Sequence, residues 1–149
     1  DQVTRILVVC LGNICRSPMG EGWLRHEAMV QGCRVKVDSA GTAGHHVGEG
    51  PDRRSVSAMK AAGVDISGQR SRKFVRSDFN KFDRILVMDQ SNLRDVLSLA
   101  KTEEHAAKVA LFDATGADVP DPYYGGEQGF SNVREQVRVA AQAHLKGLN

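Results

Sequence analysis

Cysteine is scarce in this sequence, and its scarcity limits the kinds of site that the chain can build. Its 149 residues include three cysteines, Cys10, Cys15 and Cys33. Three thiols cannot form a disulfide framework and would leave one unpaired in a secreted protein, so we expect a reducing compartment, the cytoplasm. A structural zinc site needs about four ligands, commonly in spaced Cys/His pairs. No second pair follows Cys10 and Cys15 at a useful distance, so we predict no metal.

Net charge, aromatic residues and long apolar runs are also limited. The formal charge of +2 and an aromatic content of 5%, without interleaving of basic and aromatic residues, argue against a nucleic-acid partner. The longest uninterrupted apolar run, residues 6–11, is too short to span a bilayer. The N-terminus lacks the charged-then-apolar pattern of a secretory signal. These absences predict a soluble protein with neither a membrane nor a nucleic-acid partner.

Strand-like and helix-like segments alternate along the chain without a linker or a repeat. The β-branched run RILVVC at residues 5–10 is typical of a strand buried on both faces of a parallel sheet. Pro18 then suits the first turn of a helix. Further strands are predicted at residues 35–38, 81–88 and 108–112, and further helices at 54–62, 93–100 and 130–148. With 41% apolar residues, residues 1–149 predict a single α/β domain. Its doubly wound, four-stranded parallel sheet has helices on both faces.

The segment CLGNICRSP, residues 10–18, is the first loop, which joins the first strand to the first helix. In doubly wound sheets, ligands bind at the carboxyl ends of the strands, where Cys10 lies. A short loop entering a helix directs N–H groups at the positive end of the helix dipole, a natural phosphate site. Arg16 adds a planar fork of donors for two phosphate oxygens. The same positive field stabilises a thiolate and predicts Cys10 as a nucleophile. The alternative is a buried, inert cysteine in a βα turn.

Several segments resemble the low-molecular-weight protein tyrosine phosphatases, in the same order along the chain. The first loop resembles their signature loop, and DPYYG at residues 121–125 resembles their acid loop. Shorter matches occur at residues 38–42, 46–48, 51–52 and 88–94. The resemblance covers nearly the whole chain. It implies the flavodoxin-like fold of that family and hydrolysis of phosphotyrosine and small aryl phosphates without a cofactor. It also implies a monomer that acts on phosphotyrosine-containing proteins, with a tyrosine kinase as one candidate, and releases inorganic phosphate.

The resemblance gives each residue of the site a role. The thiolate of Cys10 attacks phosphorus to form a phosphocysteine, and Asp121 protonates the leaving phenolate and then activates water. Taken alone, Asp121 followed by proline is typical of a simple turn. The phosphate is bound by the guanidinium and the loop N–H groups of Leu11, Gly12, Asn13, Ile14, Cys15, Arg16 and Ser17.

Other residues resemble the supports of the family's signature loop. Asn13, Ser17 and Ser39 match positions that hold the loop in its anion-binding shape, and the Ser17 hydroxyl is expected near the Cys10 sulfur. Cys15 matches a position that forms a disulfide with the catalytic thiol under oxidation, which would shield that thiol. Packing beside the helix start is the alternative for Cys15.

The substrate rim is where this sequence departs from the family. Tyr123 and Tyr124 resemble aromatic residues at the mouth of the cleft, although one of them could instead pack beneath its loop. His45 stands where a bulky apolar or aromatic residue, commonly tryptophan, is frequent, and we expect a solvated loop histidine there. Gln69 stands about where some members have a histidine that supports the signature loop. Residues 67–82 are rich in arginine and lysine and are expected to form a solvated face or to steer an acidic phosphoprotein.

Two other functions are compatible with the first loop. Arsenate reductases share the fold and a similar cysteine-arginine loop, but they use two further thiols in a disulfide relay, and no thiol follows Cys33. A non-catalytic phosphate-binding module would bind phosphate without forming a phosphocysteine, and replacement of Asp121 would leave it unaffected.

Overall fold

The computed structural model of the protein describes residues 2–148, over which four strands alternate with six helices. The strands are β1 (Thr4–Cys10), β2 (Val35–Gly41), β3 (Arg84–Val87) and β4 (Val109–Leu111). The helices are α1 (Arg16–Gln31), α2 (Arg53–Ala61), α3 (Asp78–Lys81), α4 (Gln90–Leu97), α5 (Glu103–Ala107) and α6 (Glu127–Lys146). No helix within residues 2–148 combines the length and apolar character needed to cross a bilayer.

The strands form one parallel sheet in the order β2-β1-β3-β4. The chain moves outward from β1 to β2, then returns past β1 to β3 and continues outward to β4. The direction of winding therefore reverses between β1 and β3, and ligands bind at the carboxyl end of such a switch point. Cys10 is the last residue of β1 and lies there. The predicted α/β fold with a doubly wound four-stranded sheet is confirmed.

Apolar residues cover both faces of the sheet. On one face, Met19 and Trp23 of α1, Met59 of α2 and Phe130 of α6 pack in one buried cluster with alternate residues of β1. On the other face, α3 and α4 contribute Phe79 and Val96 to a second cluster with the remaining β1 residues. The uninterrupted apolar run of β1 is explained by this arrangement, because both faces of the strand are buried.

Several boundaries differ from the sequence-based prediction. The third strand begins at Arg84 rather than at residue 81, because residues 78–81 form α3. The Asp78 carboxylate accepts a hydrogen bond from the Val75 N–H at 2.9 Å and fixes the turn into that helix. Helix α1 begins at Arg16, before Pro18, with Cys15 as its N-cap. The second strand continues past residue 38 to Gly41, since β1 pairs with it over its whole length.

Helix α5 and the first turn of α6 lack the periodic apolar residues from which a helix is predicted. Helix α5 was not predicted, and none of its residues is buried, so no periodic apolar face marked it. Its N-terminus is capped by Thr102, whose hydroxyl accepts a hydrogen bond from the His105 N–H at 3.1 Å. Helix α6 begins at Glu127, before the first apolar residue Phe130, because its first turn is largely exposed. A pattern of buried positions cannot reveal an exposed turn.

The expectation of a solvated basic face over residues 67–82 is wrong for Arg72. Its guanidinium is half-buried and pairs with Asp38 at 3.0 Å and with Asp78 at 3.1 Å. The Asp78 carboxylate is itself buried and needs a cation, which the sequence pattern could not identify. Arg72 therefore joins β2 to α3.

Candidate active site

The first loop uses its carbonyl groups, but not all of its N–H groups, to contact the rest of the protein. Within residues 11–15, four carbonyls accept hydrogen bonds: Leu11 from the Ala43 N–H (2.9 Å), Gly12 from Ser71 Oγ (3.1 Å), Ile14 from the Asp52 N–H (2.8 Å) and Cys15 from Ser55 Oγ (3.3 Å). No acceptor among residues 2–148 takes a hydrogen bond from the N–H groups of residues 12–15. Buried N–H groups are rarely left unpaired, so these donors at the start of α1 suit an anion.

Asn13 fixes the shape of the loop with both ends of its amide. Its backbone has φ of 57°, the left-handed region that asparagine tolerates better than most residues. The Arg72 N–H donates to Asn13 Oδ1 at 3.0 Å, which determines the orientation of the amide. Asn13 Nδ2 then donates to Ser17 Oγ at 2.7 Å and to Ser39 Oγ at 2.9 Å. The structure thus brings together the three residues expected to support the loop.

The hydroxyl of Ser17 is directed at the nucleophile. Cys10 Sγ and Ser17 Oγ are 3.1 Å apart and buried. Because Ser17 Oγ already accepts from Asn13, its proton is available to the sulfur. The Ser17 O–H is therefore positioned to donate to the nucleophile.

The other branch of this network ends at Glu21, a buried carboxylate that the sequence analysis did not single out. Ser39 Oγ donates to Glu21 Oε1 at 2.7 Å, and Arg25 pairs with the second oxygen at 2.8 Å. Burial raises the pKa of Glu21, against the lowering effects of the Ser39 hydrogen bond and of Arg25. Glu21 lies one helical turn after Ser17, so it reaches the loop from within α1.

Gly41 allows the backbone of β2 to approach the first loop closely. A Cβ atom at this position would lie 2.8 Å from the Leu11 carbonyl oxygen and 3.1 Å from the Asn13 nitrogen. Both neighbours are backbone atoms and cannot rotate away. Glycine at position 41 is therefore required by the loop rather than by a turn.

Arg16 is held from behind by two acceptors. Its side chain is 2% exposed, and Nη1 donates to Asp89 Oδ2 at 2.6 Å and to the Val119 carbonyl at 3.0 Å. Burial alone would lower the pKa of Arg16, but Cys10, Asp89 and Asp121 raise it above its ordinary value. The guanidinium thus remains charged and oriented beside the thiol. Asp89 is a contact that sequence reasoning missed, although its position just after β3 places it at the same sheet edge.

Asp121 faces the cavity from the loop that follows β4. Its Oδ1 accepts a hydrogen bond from the Tyr123 N–H at 3.1 Å, while Oδ2 lies 3.7 Å from Arg16 Nη2. The Asp-Pro turn anticipated as the alternative is therefore present, and the turn itself holds the carboxylate. Its side chain is about one-third exposed, which leaves Oδ2 accessible to a bound molecule.

These residues surround a cavity of about 180 Å³, the active-site cleft. It is lined by Cys10, Leu11, Gly12, Ile14, Cys15, Arg16, His45, His46, Asp121, Tyr123 and Tyr124. Tyr124 is 93% exposed and meets Tyr123 edge-to-face, with the ring centroids 4.9 Å apart. The rim residues predicted from the sequence therefore share one cavity with the nucleophile.

His46 is a second rim histidine beside His45, which is exposed as expected. The ring of His46 lies over Gly12. A Cβ atom at position 12 would come within 3.2 Å of His46 Cδ2. On its other side, Nδ1 is 3.2 Å from the Glu49 carboxylate. Residues 46–48 match the family, but no local pattern marks His46 as a rim residue.

The two remaining cysteines have different surroundings. Burial, reinforced by Asp52 and Cys10, raises the pKa of Cys15 to about 12, so its thiol is neutral at physiological pH. Cys33 follows the end of α1, and a 16-residue helix at about 1.5 Å per residue separates it from the first loop by about 24 Å. No disulfide joins the three thiols.

Gln69 is tied to α1 rather than to Asn13. Its Nε2 donates to the Pro18 carbonyl at 3.1 Å, while its buried Oε1 has no hydrogen-bond partner within residues 2–148. The support of the first loop thus comes from Arg72 and Ser71 instead. Within residues 2–148, no group of three or more His, Cys, Asp or Glu side chains could hold a metal ion.

Comparisons with known proteins agree with this site. The family model described as "Low molecular weight phosphotyrosine protein phosphatase" matches residues 5–149. A low molecular weight protein-tyrosine-phosphatase of Streptomyces coelicolor is 42% identical, with 95% of this chain and 91% of the relative covered. The Schizosaccharomyces pombe low molecular weight phosphotyrosine protein phosphatase is 40% identical over 97% of this chain and 96% of its own.

Solved structures give the same result. A protein tyrosine phosphatase from Entamoeba histolytica superposes with a TM-score of 0.92 at 34% identity, covering 97% of this chain and 96% of the other. Vibrio vulnificus Wzb, solved in complex with benzylphosphonate, superposes with a TM-score of 0.89 at 32% identity. The match covers 97% of this chain and 99% of the other. The predicted family and activity are confirmed: the chain belongs to the low molecular weight phosphotyrosine protein phosphatase family and is a tyrosine phosphatase.

Proposed function

We propose that the chain hydrolyses phosphotyrosine in proteins through a phosphocysteine on Cys10. The observation that carries the proposal is one cavity lined by Cys10, Arg16 and the loop residues, with the Ser17 hydroxyl 3.1 Å from the buried sulfur and the N–H groups of residues 12–15 without an acceptor among residues 2–148. In the first step, the thiolate attacks phosphorus and the bond to the phenolic oxygen breaks. Positioning and charge stabilisation supply most of the catalysis in phosphoryl transfer, and here they come from Arg16 and the loop donors.

Asp121 supplies the proton in this proposal. Its Oδ1 is occupied by the Tyr123 N–H, so Oδ2 is the oxygen left to donate to the leaving phenolate. The resulting carboxylate then takes a proton from the water that attacks the phosphocysteine, and inorganic phosphate leaves. The contact between Asp121 and Arg16 keeps the acid next to the group that binds phosphate.

The rim supports an aromatic phosphate ester as substrate. Tyr123 and Tyr124 provide flat walls beside the cleft, which suit the ring of phosphotyrosine. The benzylphosphonate complex of the Vibrio vulnificus relative supports this choice, because that molecule joins an aromatic ring to a phosphonate. We extend the proposal to a monomer acting on phosphotyrosine-containing proteins, with a tyrosine kinase among the candidates. We also propose a cytoplasmic location, which the need for a reduced nucleophile supports.

Arsenate reduction is disfavoured by the position of Cys33. A disulfide relay needs further thiols that can reach the nucleophile, and disulfide formation requires Cα atoms within about 7 Å of each other. Cys33 lies at the far end of α1, and the buried Cys15 has its pKa raised to about 12. The chain therefore offers Cys10 at most one neighbouring thiol.

Hydrolysis of p-nitrophenyl phosphate in the presence of a metal chelator tests the proposed chemistry. Cys10→Ser should abolish turnover, because a serine hydroxyl is not ionised at neutral pH. Cys33→Ser is the matched control, since it removes a thiol far from the site, and it should retain wild-type kcat and KM. Undiminished turnover by Cys10→Ser would exclude the phosphocysteine mechanism.

A further inference from the structure

The start of α2 rests on the first loop. The backbone N–H of Asp52 donates to the Ile14 carbonyl at 2.8 Å, and its carboxylate caps the helix by accepting from the Arg54 N–H at 2.8 Å. The hydroxyl of Ser55 donates to the Cys15 carbonyl at 3.3 Å. The first turn of α2 is therefore fixed relative to the loop that follows the nucleophile.

The side chain of Arg54 reaches from α2 to the acid loop, residues 121–125. Its Nε and Nη2 each donate to the Asp52 carboxylate at 3.0 Å, so both carboxylate oxygens hold one edge of the guanidinium. These hydrogen bonds hold the pKa of Asp52 below its ordinary value, which keeps the pair charged at neutral pH. The remaining nitrogen, Nη1, donates to the Gly125 carbonyl at 3.3 Å. Arg54 thus joins the first turn of α2 to the acid loop.

Two aromatic rings lie against the same guanidinium. Its carbon is 4.4 Å from the ring centroid of Phe130 and 5.4 Å from that of Tyr123, both within the range of about 6 Å for a cation–π contact. Phe130 is buried in the core, whereas Tyr123 belongs to the acid loop and lines the cleft. Arg54 therefore connects the core to one wall of the active-site cleft.

The acid loop has few other polar contacts with the rest of the protein. The N–H groups of Tyr123 and Gly125 donate to acceptors within the loop itself. Pro122 is buried, but the other four residues of the loop are exposed. Among residues 2–148, the bond from Arg54 to the Gly125 carbonyl is the only hydrogen bond between this loop and another segment. The ion pair of Asp121, at 3.7 Å, is too long for a hydrogen bond.

We propose that Arg54 is a positioning residue for the general acid: held by Asp52, it keeps the acid loop where Asp121 Oδ2 reaches the leaving oxygen of the substrate. The inference rests on the proposed function, since it concerns the proton that Asp121 supplies. Proton transfer needs heavy atoms within about 2.6–3.2 Å, and a displacement of about 1 Å can lower a rate by about 10²-fold. Loss of the Arg54 contacts should therefore impair proton transfer while the acid itself remains.

Turnover of two esters by Arg54→Ala tests the proposal. kcat for phenyl phosphate should fall by about tenfold to a hundredfold, because phenol, with a pKa of about 10, needs the proton to leave. kcat for p-nitrophenyl phosphate should stay near the wild-type value, since p-nitrophenol can leave as the anion. KM for both esters should also be unchanged, because the first loop and Arg16 are intact. Equal losses for the two esters, or no loss for phenyl phosphate, would overturn the proposal.

Arg53→Ala is the matched control on α2. The side chain of Arg53 is exposed and forms no ion pair or hydrogen bond within residues 2–148. This variant should hydrolyse both esters like wild type, and a loss confined to phenyl phosphate in it would contradict the assignment to Arg54.

Asp52→Asn weakens the support of Arg54 without changing Arg54 itself. Asparagine still caps α2 and keeps the backbone bond to Ile14, but it offers the guanidinium one oxygen instead of two. The ratio of phenyl phosphate to p-nitrophenyl phosphate turnover should lie between those of wild type and Arg54→Ala. A wild-type ratio would show that Asp52 does not hold Arg54 in its working position, against the proposal.

The double variant Arg54→Ala/Asp121→Asn separates positioning of the acid from any other effect. Once the acid is absent, loss of Arg54 should cause no further decrease with phenyl phosphate, because residues that serve one step are not additive. A further decrease as large as in Arg54→Ala alone would place the effect elsewhere in the site and exclude the proposal. If Asp121→Asn by itself leaves phenyl phosphate turnover unchanged, the assignment of the acid fails, and the inference about Arg54 fails with it.

Discussion

Replacing Asp121 with asparagine removes the proposed acid while retaining its shape. The asparagine side-chain oxygen can still accept the hydrogen bond that the Tyr123 N–H now donates to Oδ1 at 3.1 Å. The amide that takes the place of Oδ2 cannot deliver a proton to a leaving oxygen. The contact with Arg16 at 3.7 Å loses its charge, but Asp89 and the Val119 carbonyl still hold that guanidinium. The loss should therefore fall on proton transfer.

The expected magnitude depends on the leaving group. General acid catalysis contributes about 10²–10⁴-fold, equivalent to about 3–5.5 kcal/mol of barrier. Phenol, like tyrosine, has a pKa of about 10 and needs the proton, so kcat for phenyl phosphate should fall by that factor. p-Nitrophenol is a much stronger acid and can leave as the anion. In Asp121→Asn, kcat for p-nitrophenyl phosphate should therefore fall much less than kcat for phenyl phosphate. The dependence of kcat on leaving-group pKa should steepen in this variant.

Asp118→Asn is the matched control in the same segment. It makes the same charge change and keeps an acceptor for the Gln90 N–H, which Asp118 Oδ1 binds at 3.1 Å. Steady-state kinetics on a series of substituted phenyl phosphates should show wild-type behaviour for this variant. An equal loss for all leaving groups in Asp121→Asn, or no loss for phenyl phosphate, would refute the assignment of Asp121 as the acid.

Three further predictions follow from the packing and the titrating groups. Gly41→Ala should lower kcat/KM by about tenfold or more, because its Cβ would lie 2.8 Å from the Leu11 carbonyl oxygen. Gly68→Ala, a position with open space around it, should behave like wild type. Equal activity of the two variants would contradict the close approach of Gly41 to the loop. Burial lowers the pKa of His144 below its ordinary 6.5, so the unfolded state binds the proton more readily and the free energy of unfolding should fall as the pH drops below about 6.5. His144→Gln should remove that slope in urea titrations, and an unchanged slope would contradict it. Cys15, with its pKa raised to about 12, should resist iodoacetamide at pH 8 in the folded Cys10→Ser variant, and rapid alkylation there would contradict its burial.

The sequence predicted the sheet and the first loop because their signals are local. The apolar run of β1 reflects burial on both faces, and the loop residues follow one another along the chain. The identity of Cys10 and Arg16 could therefore be inferred from nine consecutive residues. The positions of Ser39 and Asp121 were inferred from a resemblance, since no local pattern distinguishes them from ordinary turn or strand residues.

What the sequence did not reveal depends on contacts between distant segments. Asp89 reaches Arg16 because β1 and β3 are neighbours in the sheet, and that adjacency is a property of the topology. Arg72 supports Asn13 through its backbone N–H, a group that every residue except proline carries. Glu21 resembles any helical glutamate until the fold buries it. Such residues become identifiable once the strand order is known.

In the proposed mechanism, the Cys10 sulfur forms a covalent bond to phosphorus during turnover. Rapid acid quenching of the wild-type protein during hydrolysis of a phosphotyrosine peptide, followed by digestion and mass spectrometry, tests this directly. We expect one added phosphoryl group on the fragment of the first loop, located at residue 10 by fragmentation and absent from Cys10→Ser. A wild-type protein that turns over while this fragment remains unmodified, or carries the phosphoryl group elsewhere, would contradict it.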